Sequence, residues 1–349
     1  MKALIAISGG VDSSVSALLM KNKGCDCIGV TMKLFEGTEC DKSCCSLTDV
    51  DDARSVADAV GIPYYVFNFT HEFEKEVIGR FIEEYNAGHT PNPCIDCNRY
   101  IKFQHLYKRM QEIEFDFIVT GHYARITHEG RWLLKKALDE TKDQSYVLYS
   151  LTQEQLKHTQ FPLGEMTKKE VRRIAQENGF KNANKRDSQD ICFVPDGDYG
   201  SFIEKHTGKN YPQGNFIDKN GNILGNHNGI IRYTIGQRKG LGIALGEPAY
   251  VLSKSIKDNT VTLGKDEDLF SKILTARGVN IIADKDIPDG LKILAKVRYN
   301  QKEQPARVWK TGEDEIRVEF DTPQRAIAPG QSVVLYDGDI VVGGGTIVA

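Results

Sequence analysis

Two sets of residues have types and spacings that could do chemistry. The first is Ser8-Gly9-Gly10-Val11-Asp12-Ser13, a glycine pair set directly after an apolar run and followed by hydroxyls and one acid. At such a turn, backbone N–H groups and the positive end of the following helix can close around phosphate oxygens. The segment is not G-x-x-x-x-G-K-[ST], which excludes a Walker loop, nor G-x-G-x-x-G, which disfavours a dinucleotide fold. As structure alone it would be a tight turn with Asp12 as a helix cap.

Cysteine supplies the second set. Eight cysteines in 349 residues, six of them within the first 94, do not resemble the disulfide frameworks of short secreted chains. In a reducing compartment, clustered thiols point to metal or sulfur chemistry. Pro91-Asn92-Pro93-Cys94-Ile95-Asp96-Cys97-Asn98 is expected in a loop between two helices, stiffened by its prolines. Its C-x-x-C pair reads as a metal half-site, a disulfide-exchange pair or coincidence. Cys192, in Ser188-Gln189-Asp190-Ile191-Cys192-Phe193, stands at the entry to a short strand and by itself reads as a core thiol. Cys40, Cys44 and Cys45 form C-x-x-x-C-C in a polar loop, expected as reduced thiols that could bind Zn²⁺ or help load sulfur. Cys25 and Cys27 are expected as small buried residues.

The elements that must carry these residues alternate. Strands are expected at 2–7, 27–33, 64–69 and 117–121, and helices at 14–21, 49–60, 71–85 and 100–111. That alternation implies a doubly wound parallel sheet, with ligands at the carboxyl ends of its strands, where Ser8 to Ser13, Met32 and Gly121-His122 converge. A hairpin at 125–136, a basic amphipathic helix at 167–178 and a short strand at 190–194 follow. Glycines, asparagines and short β-prone runs then suggest a small β-rich central domain, and regularly spaced strands after residue 271 suggest a β-barrel. The expected domains are 1–200, 201–270 and 271–349.

A net charge of −3 gives no general attraction to nucleic acid, so RNA binding would need local basic surfaces. Two islands qualify: 98–110 with Arg99, Lys102, Lys108 and Arg109, and 231–243 with Arg232, Arg238 and Lys239. Each could equally be a solvated face. With no apolar window approaching a membrane span, a cytoplasmic protein is expected.

The S-G-G-x-D-S loop resembles that of the ATP pyrophosphatases, which cleave ATP between the α and β phosphates and share an adenine nucleotide alpha-hydrolase-like fold. The wider set S-G-G-V-D-S, N-P-C-x-x-C-N with I-K-F, T-G-H-Y, K-D-Q-S-Y, D-S-Q-D-I-C-F, Y-T-I-G-Q-R-K-G and A-P-G-Q-S-V-V-L-Y resembles the tRNA-specific 2-thiouridylase family along the whole chain. That resemblance implies ATP-dependent replacement of the 2-oxygen of a wobble uridine by sulfur, with AMP and pyrophosphate released.

It implies that Ala6, Ile7, Ser8, Gly9, Gly10, Val11, Asp12, Ser13, Met32 and Gly121 hold ATP, with Asp12 near Mg²⁺. Cys192 would carry a persulfide, and Cys97 would release the sulfur through a Cys97–Cys192 disulfide. Asn92, Pro93, Cys94, His122, Lys142, Asp143, Gln144, Arg298, Tyr299 and Gln331 would contact tRNA. A sulfur-relay protein or cysteine desulfurase would be the donor to a monomeric enzyme. Well-known members carry an aspartate where this chain has Cys94. The change removes a proposed general acid or base and leaves three cysteines, Cys94, Cys97 and Cys192, as an alternative [4Fe–4S] site. Met32 could otherwise be a core methionine, and an RNA-binding adaptor with a relic nucleotide fold is the non-enzymatic alternative.

Overall fold

Strand β1 (Lys2–Ala6) is the middle of a parallel sheet because its residues are apolar on both faces. The computed structural model describes residues 1–35, 47–185 and 191–348. In chain order β1 is followed by α1 (Val11–Asn22), β2 (Asp26–Lys33), α2 (Leu47–Val60) and β3 (Tyr64–Asn68). A continuous helix α3 runs through Thr70–Phe73, a π-helical stretch Glu74–Gly79 and Arg80–Asn86. Helix α4 runs likewise through Pro93–Asp96, a π-helical stretch Cys97–His105 and Leu106–Glu112. Then come β4 (Phe117–Val119), the hairpin β5 (Arg125–His128) and β6 (Trp132–Lys135), α5 (Gln153–Lys157), β7 (Thr159–Gln160) and α6 (Lys168–Glu177).

The sheet order is β3-β2-β1-β4-β7, all parallel. Alternate residues of β1 serve opposite layers. Ala3 and Ile5 pack with Ala17, Met20, Ala53 and Ala57 of α1 and α2, whereas Leu4 and Ala6 face Phe73, Phe81, Ile101 and Phe103 of α3 and α4. Cys25 and Cys27 are buried in the first of these layers, and burial pushes the Cys27 thiol up to about 11.

Helix α7 (Tyr199–Thr207) leads into a four-stranded sheet of β8 (Gly214–Ile217), β9 (Ile223–His227), β10 (Tyr250–Ser255) and β11 (Thr260–Gly264), in the order β10-β11-β8-β9. Its apolar residues Phe216, Val251 and Val261 belong to the same core as α3 and α4. The last six strands are β12 (Phe270–Ile281), β13 (Leu291–Lys296), β14 (Gln304–Gly312), β15 (Glu315–Arg325), β16 (Ser332–Asp337) and β17 (Ile340–Ile347). They close into a barrel through β12–β17 pairing, with Leu274, Val308, Val318, Phe320 and Leu335 inside. β6 adds to β17 at Lys135 and Ile340, which grafts the hairpin of the first unit onto the barrel.

Two expectations are corrected. The C-x-x-C pair is not in a loop. Asn92 caps α4 by accepting from the Cys94 N–H at 3.2 Å, and Pro93 takes the first helical position, where a missing N–H costs nothing. Residues 191–194 form a turn closed by Val194 N–H to Ile191 O, rather than a strand. The long β12, with α7 and β8, lacked the clean alternation or turn punctuation that would have announced them.

Candidate active site

The carboxyl ends of β1, β2 and β4 carry the nucleotide loop, Met32 and Gly121 to one edge of the sheet. The loop is wound on its own hydroxyls. Ser13 Oγ donates to Gly10 O at 3.0 Å and accepts from the Ser8 N–H at 3.1 Å. Ser14 Oγ donates to Gly10 O at 2.9 Å. Gly10 is extended and caps α1, which leaves the first N–H groups of the helix for a ligand. Gly9 has φ +72°, and a Cβ there would lie 2.5 Å from Asp49 O, so glycine is required on both counts. A Cβ on Gly121 would fall 2.7 Å from Ser13 N. That glycine therefore lets the chain after β4 lie against the start of α1. Ala6 and Ile7 are buried, with the Ile7 N–H donating to Val30 O and Ile7 O accepting from Thr31 Oγ1, while Met32 is half-buried against the core.

Asp12 is held by residues that sequence reasoning missed. Both its carboxylate oxygens lie 2.7 Å from Lys168 Nζ, and Oδ1 also accepts from the Tyr123 hydroxyl at 2.8 Å. Lys168 opens α6 behind a Thr167–Glu170 capping box, so the helix start aims it at the loop. The basic character of that helix was the available signal. A carboxylate such as Asp12 is the kind of hard oxygen donor that Mg²⁺ takes alongside phosphate oxygens, and taking the ion would mean giving up a contact to Lys168.

Cys94 and Cys97 are one turn apart on α4. Cys94 is exposed, and its thiol lies within the electrostatic surroundings of Tyr299, whose hydroxyl burial pushes up to about 12. Cys97 and Cys192 are half-buried and pack on the same apolar core as Met32 and Tyr299. Among the described residues no three His, Cys, Asp or Glu side chains are gathered as metal ligands. Of the three cysteines expected as an alternative [4Fe–4S] site, Cys94 is exposed while Cys97 and Cys192 are half-buried against the core. Cys40, Cys44 and Cys45 lie outside the described residues, as do Asp187 to Asp190 of the second cysteine motif. Asp96 faces α3: burial raises its carboxyl to about 6, against the pull of Arg99 and Arg80.

The expected RNA contacts divide. Asn92, Pro93 and Cys94 form the cap and first turn of α4. His122 is buried, with Nδ1 2.6 Å from Thr120 Oγ1 and Nε2 3.4 Å from Lys102 Nζ; desolvation, then Lys102, holds it well below its usual range and therefore neutral. Asp143 accepts from the Ala137 and Ser145 N–H groups and the Ser145 hydroxyl, and Gln144 Oε1 accepts from the Tyr123 N–H. Lys142 stands beside them, half-buried.

On the barrel, Arg298 Nη2 donates to Ile235 O at 3.1 Å and Ala326 O at 3.0 Å, and Gln331 Nε2 donates to Thr90 O at 2.7 Å. These two side chains stitch the barrel to the central unit and to the lead-in of α4. Of the basic islands, Arg232 is paired with Glu204 and Asp198, and Arg109 with Glu112.

Residues 1–196 match the family model described as tRNA methyl transferase HUP domain, 200–265 the tRNA methyl transferase PRC-barrel domain, and 271–347 the aminomethyltransferase beta-barrel domain. The fold and site therefore define a three-part protein with a HUP unit at its head. Proteins named tRNA-specific 2-thiouridylase MnmA are similar throughout. That of Clostridioides difficile (strain 630) is 53% identical over 99% of this chain and 98% of its own, and that of Lachnoclostridium phytofermentans is 52% identical over 99% of both. The chain belongs to the tRNA-specific 2-thiouridylase family. A solved 4-thiouridine synthetase–RNA complex with bound ATP overlaps 59% of this chain and 50% of that one, at 20% identity and a TM-score of 0.39, too low to inform the site. Among the described residues no helix is long and apolar enough to cross a membrane.

Proposed function

We propose that the protein is a tRNA sulfurtransferase that uses ATP to convert a wobble uridine to 2-thiouridine. The observation that carries this reading is the phosphate-type loop at the head of α1, wound on its own hydroxyls with the first N–H groups of the helix left for a ligand, in a chain that also holds half-buried thiols at Cys97 and Cys192. The relatives named tRNA-specific 2-thiouridylase support the substrate.

The chemistry follows from the poor leaving ability of a carbonyl oxygen. Ala6 to Ser13, Met32 and Gly121 bind ATP, and Mg²⁺ when bound at Asp12 neutralises phosphate charge. The uracil 2-oxygen attacks the α phosphate, N3 gives up its proton and pyrophosphate leaves. Cys192 carries a persulfide loaded by a sulfur-relay protein or cysteine desulfurase. Its terminal sulfur attacks C2, and AMP departs with the original oxygen. Cys97 thiolate then attacks the Cys192 sulfur, forming the Cys97–Cys192 disulfide and leaving sulfur on C2. An external thiol reductant restores both cysteines.

The flipped base meets Asn92, Pro93 and Cys94, with His122, Lys142, Asp143, Gln144 and Tyr299 around it. Arg298 and Gln331 serve the RNA by holding the barrel in place.

The test incubates protein, ATP, persulfide donor and unmodified tRNA, and detects 2-thiouridine by mercury-gel shift. Cys97→Ser and Cys192→Ser each abolish the shifted band; thiolation by both variants rejects the mechanism.

A further inference from the structure

The turn after α6 touches the nucleotide loop from behind, and no role considered so far uses it. Asn182 is 4% exposed. Its Nδ2 donates to Gly9 O at 3.0 Å and to Ser14 Oγ at 2.9 Å, and the Ser14 hydroxyl passes its own proton to Gly10 O at 2.9 Å. One amide therefore draws both glycine carbonyls to the same side, the first directly and the second through Ser14. Lys185 adds a cation 3.5 Å from Gly9 O, itself fixed at 2.7 Å by Asp49 and by Asp52 on α2. Phe180 and Ala183, on either side of Asn182, are buried with Val11 and Val15 of α1, so the amide has a rigid mount.

The consequence comes from peptide geometry. In a trans peptide the C=O of one residue and the N–H of the next point in opposite directions, and the described chain has no cis bonds. Pulling Gly9 O toward Asn182 turns the Gly10 N–H away from it, and holding Gly10 O does the same for the Val11 N–H. Both donors are thereby aimed outward beside the free N–H groups of α1, where an oxyanion gains most from fixed dipoles. Without the amide, Gly9 O keeps only Lys185 at 3.5 Å among the described residues and the flexible Gly9–Gly10 peptide can turn, while Gly10 O stays held by Ser13 Oγ and the Ser14 N–H, so the Gly10 amide depends on Asn182 more than the Val11 amide does.

We infer that Asn182, seconded by Lys185, is a positioning residue that orients the Gly10 and Val11 amides for the polyphosphate of the nucleotide. The inference rests on the nucleotide-binding reading above. It assigns Asn182 no contact with ligand. Its effect must therefore scale with the phosphates and leave the nucleoside untouched.

Calorimetric titration of the full chain with adenosine, AMP and ATP in Mg²⁺ tests this. Asn182→Ala weakens ATP binding roughly tenfold, the worth of one to two hydrogen bonds, with adenosine unchanged. Asn182→Asp keeps the shape but cannot donate, and loses at least as much. Lys185→Met loses less. Equal losses for ATP and adenosine, or no loss for either, would overturn the inference. A wild-type protein that does not prefer ATP to adenosine fails the nucleotide reading itself.

Discussion

Replacing Arg298 with alanine separates two roles for a cation on the barrel: a clasp inside the molecule or a contact to RNA phosphate. Its guanidinium donates to Ile235 O and Ala326 O, and its Nε is buried without a hydrogen-bond partner. Burial, against the opposing pull of Tyr146, holds the group below the usual arginine range, as expected of a cation drawn out of water. Hydrogen bonds from a charged donor are worth about 1.5–3 kcal/mol each, and a stranded carbonyl costs about 1–3 kcal/mol. Recovered solvation of the arginine offsets part of this, so Arg298→Ala loses about 2–4 kcal/mol.

Urea denaturation followed by circular dichroism reads that loss. The same variant is titrated with tRNA over a range of salt. A side chain bound to phosphate contributes about 0.7–0.9 to the slope of log affinity against log salt. We expect the stability loss with that slope unchanged. An unaltered urea midpoint together with a slope lower by about 0.7–0.9 would refute the clasp and return Arg298 to the RNA surface.

Two further outcomes follow from buried charges. Lys168→Met strands Asp12 and destabilises the fold by about 2–3 kcal/mol in urea, less than a fully buried pair because Asp12 is partly exposed; adding Asp12→Asn recovers part of the loss, and strictly additive effects would reject the pairing. Lys254 Nζ is buried without a hydrogen-bond partner, 5.8 Å from the Tyr85 ring centre, and burial lowers it to about 8. The unfolded chain then binds more protons between about 8 and 10.5, so wild-type stability rises with pH across that window. Lys254→Met removes the rise and raises the melting temperature at pH 7 by about 2–4 °C; an unchanged pH profile in thermal melts counts against it.

Local patterns carried far in this chain where residues a few positions apart decide the outcome. Buried runs such as Lys2–Ala6 and Asp26–Lys33, alternating with helical spacing, sufficed for a parallel sheet, since a strand covered on both faces must be apolar throughout. The glycine pair announced a strand-to-helix turn because few other sequences permit it. The cap at Asn92-Pro93 was equally local, yet it was misread: proline stiffens a loop and opens a helix with the same residue, and only the hydrogen bond from the Cys94 N–H separates the two.

The sequence by itself determined the α/β class, the barrel, the nucleotide-type loop and the family to which the chain belongs. It could not determine which charges that loop meets. Lys168 reaches Asp12 across 156 positions and Asn182 reaches Gly9 across 173, distances at which spacing holds no information. Nor could it distinguish a cation offered to RNA from one spent inside the molecule, as Arg298 is. That choice depends on whether a buried carbonyl or a solvated phosphate lies within reach, and only the packed chain places the carbonyl there.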